Sequence, residues 1–144
     1  VHLHASLLAL GHPGGLSVTA IDPDVISDAN CVRQPFHQNE VGLPKAVVLV
    51  HRATLWAGCD WRAVPVAVTP PAARGEAPTR LSAADEAVAR TLERADLVLS
   101  CVDSRAARAA LVAHVTAPES RTGFLMDFGN EAATGQWTIG QPRN

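Results

Sequence analysis

Residues 97–102, Leu-Val-Leu-Ser-Cys-Val, form a short apolar run bounded by Asp96 and Asp103. The run is too short for a buried helix and has the character of a strand covered on both faces, as in parallel sheets. Parallel strands cannot be joined by a tight turn; each must return through a crossover, usually a helix. The flanking residues supply such helices. Ser82 can cap a helix over 83–94, with Asp85 near its N-terminus and Val88 and Leu92 on one face. A second helix is expected over Arg105 to Val115.

The rest of the chain follows the same alternation. Val1 to Leu10 has helical apolar spacing and ends at Gly11-His12-Pro13-Gly14-Gly15. Leu16 to Ile21 is rich in β-branched residues and reads as a strand closed by Asp22-Pro23-Asp24. Ser27 to Asn39 is polar and reads as a loop with short helical turns. Pro44 opens a helix at its first turn, Lys45 to Leu55 continue it and Gly58 stops it. Strands are expected over 61–69, 123–128 and 136–139, and the clearest loop over Pro70 to Thr79. Strands alternating with helices predict an α/β fold around a mainly parallel sheet.

Composition narrows the function. The chain has 144 residues, one domain's worth, and 47% are hydrophobic, enough to build a core. A net charge of -2 argues against a general nucleic-acid or anionic-membrane binder. No apolar run approaches the ~20 residues that span a bilayer. Cys31, Cys59 and Cys101 lie far apart without a Cys-x-x-Cys pair, which disfavours a disulfide framework or structural zinc and favours a reducing, cytoplasmic compartment. The chain starts at Val1 and stops directly after a strand-like run. It reads as a piece of a longer protein.

In open parallel sheets ligands bind beyond the carboxyl ends of the strands. Asp22, with Asp24 behind it, falls at one such end, and Asp103 at another. From spacing alone Asp22 either accepts from ribose hydroxyls or caps a turn. Asp103 either holds Mg²⁺ together with phosphate oxygens or caps the 105–115 helix. Arg33 and Lys45 either face a polyphosphate or are solvated side chains.

Three segments together carry a resemblance. Asp22-Pro23-Asp24-Val25-Ile26-Ser27-Asp28-Ala29-Asn30-Cys31-Val32-Arg33-Gln34 is similar to the D-x-D-x-V-x-x-S-N-L-x-R-Q stretch of E1-like adenylyltransferases, the ThiF/MoeB family. Val41-Gly42-Leu43-Pro44-Lys45-Ala46 resembles that family's G-x-x-K-A segment. Asp96 to Arg108 resembles its D-L-V-x-D-C-x-D-x-x-x-x-R strand and turn. Leu10 to Leu16, Gln34-Pro35-Phe36 and Met126-Asp127-Phe128-Gly129-Asn130 followed by Gly135-Gln136 resemble more closely the ThiF proteins of the PRTRC plasmid-borne system. The resemblance implies a Rossmann-like, doubly wound α/β adenylation domain, truncated at both ends.

It also implies an activity. The family activates the C-terminal carboxylate of a ubiquitin-like or sulfur-carrier protein by attack on the α-phosphorus of ATP, giving an acyl adenylate and pyrophosphate. Carried over, Asp22, with Asp24 beside it, binds the ATP ribose. Asn30 and Arg33 contact phosphates, with Gln34 adjacent, and Lys45 neutralises the triphosphate. Asp103, with Ser104 beside it, positions Mg²⁺ and the reacting phosphate. Arg33, Lys45 and Asp103 are the implied catalytic set. A homodimer is implied, and the PRTRC likeness adds a ubiquitin-like protein and a JAB-type peptidase as companions.

The chain also departs from the family. A G-x-G-x-x-G loop after a first strand is part of the pattern, and none precedes Asp22. Residues 1–10 are therefore read as the latter part of the first helix, with that strand and loop upstream. A sheet missing a central strand is expected to be unstable alone or dependent on another chain. Ala29, Cys31 and Ser104 replace the usual Ser, Leu and Asn.

Other readings are weaker. A Rossmann oxidoreductase binding NAD accounts for Asp22 but has no use for Arg33, Lys45 and Asp103. A non-catalytic scaffold is the third class. Cys101 is expected to be a buried, inert thiol, and His2 and His4 to be helix surface. Asp127-Phe128-Gly129 matches the kinase magnesium triplet by chance, without its companion motifs. Trp56, Trp61 and Trp137 are expected to anchor a core or an interface.

Overall fold

Residues 1–71, 82–130 and 134–142 are described by a computed structural model. They form a mixed α/β, Rossmann-like arrangement in two compact units, Val1–Ala67 and Val68–Asn144.

In the first unit, α1 (His2–Ala9) precedes β1 (Thr19–Ile21), a short α2 (Asp28–Arg33), a 3₁₀ turn (Gln38–Glu40), α3 (Lys45–Ala57) and β2 (Arg62–Val64). The two strands pair in parallel, with Thr19 opposite Arg62 and Ile21 opposite Val64. The intervening chain must therefore cross over, and α3 packs against both strands. Pro44 lies at the N-cap of α3, where its missing N–H costs no helical bond. Gly58 ends the helix in the left-handed region at φ +63°, where a side chain would be strained. Ile26, Phe36 and Val48 form the buried cluster beneath the crossover, with Cys31 packed against it.

The chain before β1 is tied down in a way that spacing does not disclose. His4 is buried, not on the helix surface: the 11–15 turn folds back so that Leu16 N–H donates to its Nδ1 at 3.0 Å. Trp61 Nε1–H donates to the Leu16 carbonyl, and the two rings meet edge to face. Gly15, at φ +61°, sits so close that a Cβ there would lie 2.7 Å from His4 Nδ1. His2 stays exposed, edge-on to the exposed Trp56.

The second unit contains α4 (Ala83–Arg94), β3 (Leu97–Ser100), α5 (Arg105–Val115), β4 (Phe124–Asn130) and β5 (Gly135–Gly140). β3 and β4 are parallel, joined through α5, and β5 adds antiparallel to β4. Val88, Leu92, Ala110, Leu111 and Val115 are buried, and α4 packs on α5. The loop expected over 70–79 lies, from residue 72 onward, outside the described residues.

Two expectations for the 97–102 run are corrected. The strand ends at Ser100, and its burial alternates: Val98 and Ser100 are inside, while Leu97 and Leu99 are 49% and 59% exposed. The period of two shows a strand buried on one face. Cys101 lies past the strand end, in the turn before α5, and is exposed. Trp137 is also exposed, and Trp61 is half-buried.

Ser82 and Asp85 form a reciprocal cap on α4. Asp85 N–H donates to Ser82 Oγ at 3.1 Å, and Ser82 N–H to the Asp85 carboxylate at 3.2 Å. The Ser82 hydroxyl, the Ser82 amide and the Thr69 hydroxyl, in that order, hold the Asp85 carboxyl below its usual range. With its folded pKa below the unfolded value, this stabilisation is complete above the unfolded pKa and lost as pH falls through the folded one. Asp85→Asn should therefore lower the melting temperature at neutral pH and flatten its fall below about pH 4. Parallel melting-temperature curves for variant and wild type across the acid range would refute this assignment.

Candidate functional site

The carboxyl end of β1 opens directly into the crossover. Asp22 N–H donates to the Val64 carbonyl at 3.2 Å, continuing the strand pairing by one residue. The Asp22 carboxylate accepts from Asp24 N–H at 2.8 Å, a side-chain-to-backbone turn of the kind Asp favours. The turn-capping geometry is thus present. It uses one carboxylate oxygen.

Asp24 then binds Lys45 twice. Its carbonyl accepts from Lys45 N–H at 2.9 Å, and its carboxylate from Lys45 Nζ at 2.8 Å. The Lys45 side chain is only 13% exposed, whereas that of Asp24 is 62% exposed. Further bonds close the loop around this pair: Ile26 N–H to Leu43 O and Gly42 N–H to Ile26 O. Asp22, Asp24 and Lys45 form one bonded cluster at the strand end.

Asn30, on the first turn of α2, is buried and accepts from both the amide and the hydroxyl of Ser27 through Oδ1. Arg33 ends α2 and Gln34 caps it; both side chains are exposed and bond to none of the Asp22–Asp24–Lys45 cluster. The segment beyond them is held by Arg52 of α3. Its guanidinium donates to the Pro35 carbonyl and the Glu40 carboxylate and lies 5.8 Å from the Phe36 ring centroid. The His37 amide, and after it Arg52, draw the Glu40 carboxyl below its ordinary value.

Asp103 and Ser104 belong to the second unit. Ser104, not Asp103, caps α5: Ala107 N–H donates to Ser104 Oγ at 3.1 Å. Asp103 is exposed and has no hydrogen bond or ion pair among the described residues. Nearby, Arg108 Nε donates to Asp127 Oδ2 at 2.7 Å and Arg108 Nη2 to the Val102 carbonyl at 2.8 Å. Ser100 Oγ donates to Asp127 Oδ1 at 2.5 Å. Sequence reasoning did not find this network, although Asp127 pairs with the last residue of β3 across a parallel ladder. The signal was a charged residue inside an apolar strand.

No group of three or more His, Cys, Asp or Glu among the described residues could hold a metal by itself. Magnesium carried by a nucleotide needs less, one or two carboxylates plus phosphate oxygens and water. The exposed Asp103 carboxylate, in the turn between β3 and α5 and without a partner among the described residues, is a donor of that kind.

A family model decides the broader identity, matching residues 4–137. The chain belongs to the ThiF family. No curated protein matches it. ThiF proteins are E1-like adenylation enzymes that generally use ATP with Mg²⁺ and act on ubiquitin-like or sulfur-carrier proteins. No helix among the described residues is long and apolar enough to cross a membrane.

The Arg52 contacts yield a direct test of how the 34–40 segment is held. Arg52→Ala removes a charge-assisted bond, a carbonyl contact and cover over Phe36. Urea unfolding should show a loss of about 1–3 kcal/mol. A loss below about 0.5 kcal/mol would place Arg52 among ordinary surface ion pairs.

Proposed function

We propose that this chain adenylates the C-terminal carboxylate of a ubiquitin-like or sulfur-carrier protein. The observation that supports it best is the end of β1. Asp22 sits at the mouth of a parallel strand, and Lys45 is held beside it through Asp24, in a chain of the ThiF family. Asp22, with Asp24 beside it, accepts from the ribose hydroxyls. Asn30 and Arg33 donate to phosphate oxygens, with Gln34 adjacent. Lys45 exchanges its Asp24 partner for the triphosphate. Asp103, flanked by Ser104, holds Mg²⁺ against the nucleotide.

The chemistry needs no protein nucleophile. A carrier carboxylate oxygen forms the new bond to the α-phosphorus, the α–β bridging bond breaks, and pyrophosphate leaves with its electron pair. Mg²⁺, when bound, offsets charge on the phosphate oxygens. The residues named here align the reactants and meet the charge that develops on the leaving group. The same reading takes the protein to be cytoplasmic, homodimeric and of the PRTRC type. The NAD-dependent oxidoreductase reading accounts for Asp22 alone, and the scaffold reading for the Asp22 turn and the Asp24–Lys45 pair but not for the exposed Arg33 and Asp103.

ATP–pyrophosphate exchange with Mg²⁺ and a candidate ubiquitin-like partner tests the proposal. Exchange should depend on the partner, and Asp103→Ala and Arg33→Ala should each reduce it by about 100-fold or more. Folded protein that neither exchanges nor binds ATP would overturn it; binding of NAD instead would favour the oxidoreductase.

A further inference from the structure

Asp103 is useful as a ligand only if the turn that carries it is held still, because its own side chain has no partner among the described residues. The turn runs from Ser100, the last residue of β3, to Arg105, the first of α5. On its far side it is fixed by the Ser104 cap. On its near side the fixing group is Arg108. Its Nη2 donates to the carbonyl of Val102, the residue before Asp103, at 2.8 Å. The same guanidinium donates through Nε to Asp127 Oδ2 at 2.7 Å, and Asp127 Oδ1 accepts from Ser100 Oγ at 2.5 Å. The bonds close a ring through β3, β4 and α5.

We propose that Arg108 and Asp127 are positioning residues that hold the Val102–Asp103 turn and so place the Asp103 carboxylate toward a magnesium–nucleotide ligand; the functional half of this inference rests on the adenylation reading above. The geometry favours a bracing role over a direct one. Two of the donor directions of Arg108 are committed inside the protein, and both Asp127 oxygens are occupied. The Arg108 side chain is 33% exposed and that of Asp127 21%, so the bonds are partly shielded from water. Only a planar guanidinium serves a carboxylate and a carbonyl in fixed, different directions at once; a lysine ammonium on a flexible stem does not.

Arg108→Lys therefore separates the role from mere charge. It keeps the ion pair with Asp127 and gives up the fixed contact with Val102. Calorimetric titration of the full chain with MgATP should show a dissociation constant raised about tenfold, the low end of what partners behind a metal ligand contribute. The melting temperature should stay within about 2 °C of wild type. In an Asp103→Ala background the same change should alter binding by less than about twofold, since its effect passes through Asp103. Asp127→Asn should act in the same direction. Hydrogen exchange should quicken at the Ala107 amide, which donates to Ser104 Oγ at the end of the turn, in both single variants.

Arg108→Lys that binds MgATP like wild type overturns the proposal, as does an equal loss in the Asp103→Ala background. If wild type itself binds no MgATP, the adenylation reading fails separately. The brace is then judged by hydrogen exchange alone: faster exchange at the Ala107 amide in both variants sustains it, and unchanged exchange overturns it.

Discussion

Lys45 meets Asp24 through both its backbone and its side chain, and the crossover depends on that double contact. A parallel pair such as β1 and β2 obliges the chain to leave the sheet at one end and return at the other. The excursion between Asp24 and Lys45 is polar, and long loops are expensive to order. The Asp24 carbonyl accepts from the first amide of α3, so helix initiation and loop closure share one bond. The ion pair adds direction. A lysine only 13% exposed has lost most of its water and needs an anion; Asp24, largely in solvent, can let it go. Such a pair contributes little net stability, and it fixes the direction of the Lys45 side chain toward Asp24.

This explains why the local geometry of several candidate residues was legible in the sequence. Asp22, Asp24 and Lys45 lie at element boundaries, and boundaries carry local signals. A β-branched run ends before Asp22, and Pro44 announces the helix that Lys45 begins. The α4 cap was readable for the same reason, since Ser82 and Asp85 are three residues apart and bond each other. The spans of α4 and α5 follow from such local rules. The strands were less exact: the run 61–69 contains only the three residues of β2, because pairing with β1 stops at Val64.

What the sequence concealed is long-range. His4 lies on a short helix of mixed pattern, and only the return of Leu16 and Trp61 buries it. Leu97 and Leu99 look like core residues because apolar composition reports hydrophobicity and not which face is covered. Cys101 followed the same false cue: the end of the ladder, and not the end of the apolar run, decided its exposure. The Arg108–Asp127 pair spans elements whose approach no local rule announces. Asp103 and Ser104 are adjacent and both can cap a helix, so only geometry showed that Ser104 does.

The carboxylates divide accordingly into committed and uncommitted groups. Asp85 and Glu40 accept several hydrogen bonds and sit below their ordinary range, so their charge is spent on holding loops and helix ends. Asp127 is saturated by Arg108 and Ser100. Asp22 has one oxygen engaged in a turn, and Asp103 has neither engaged among the described residues. A carboxylate without a partner contributes nothing to folding by contact, and a cationic ligand can bind it without first breaking a native bond. The same holds, with the sign reversed, for the exposed guanidinium of Arg33. Binding energy at Asp103 or Arg33 is therefore not offset by loss of an existing interaction, whereas at Lys45 it is reduced by the loss of Asp24. On the adenylation reading proposed above, Arg33 and Asp103 should carry more of the nucleotide's affinity, and Lys45 more of the response to charge building on the departing pyrophosphate.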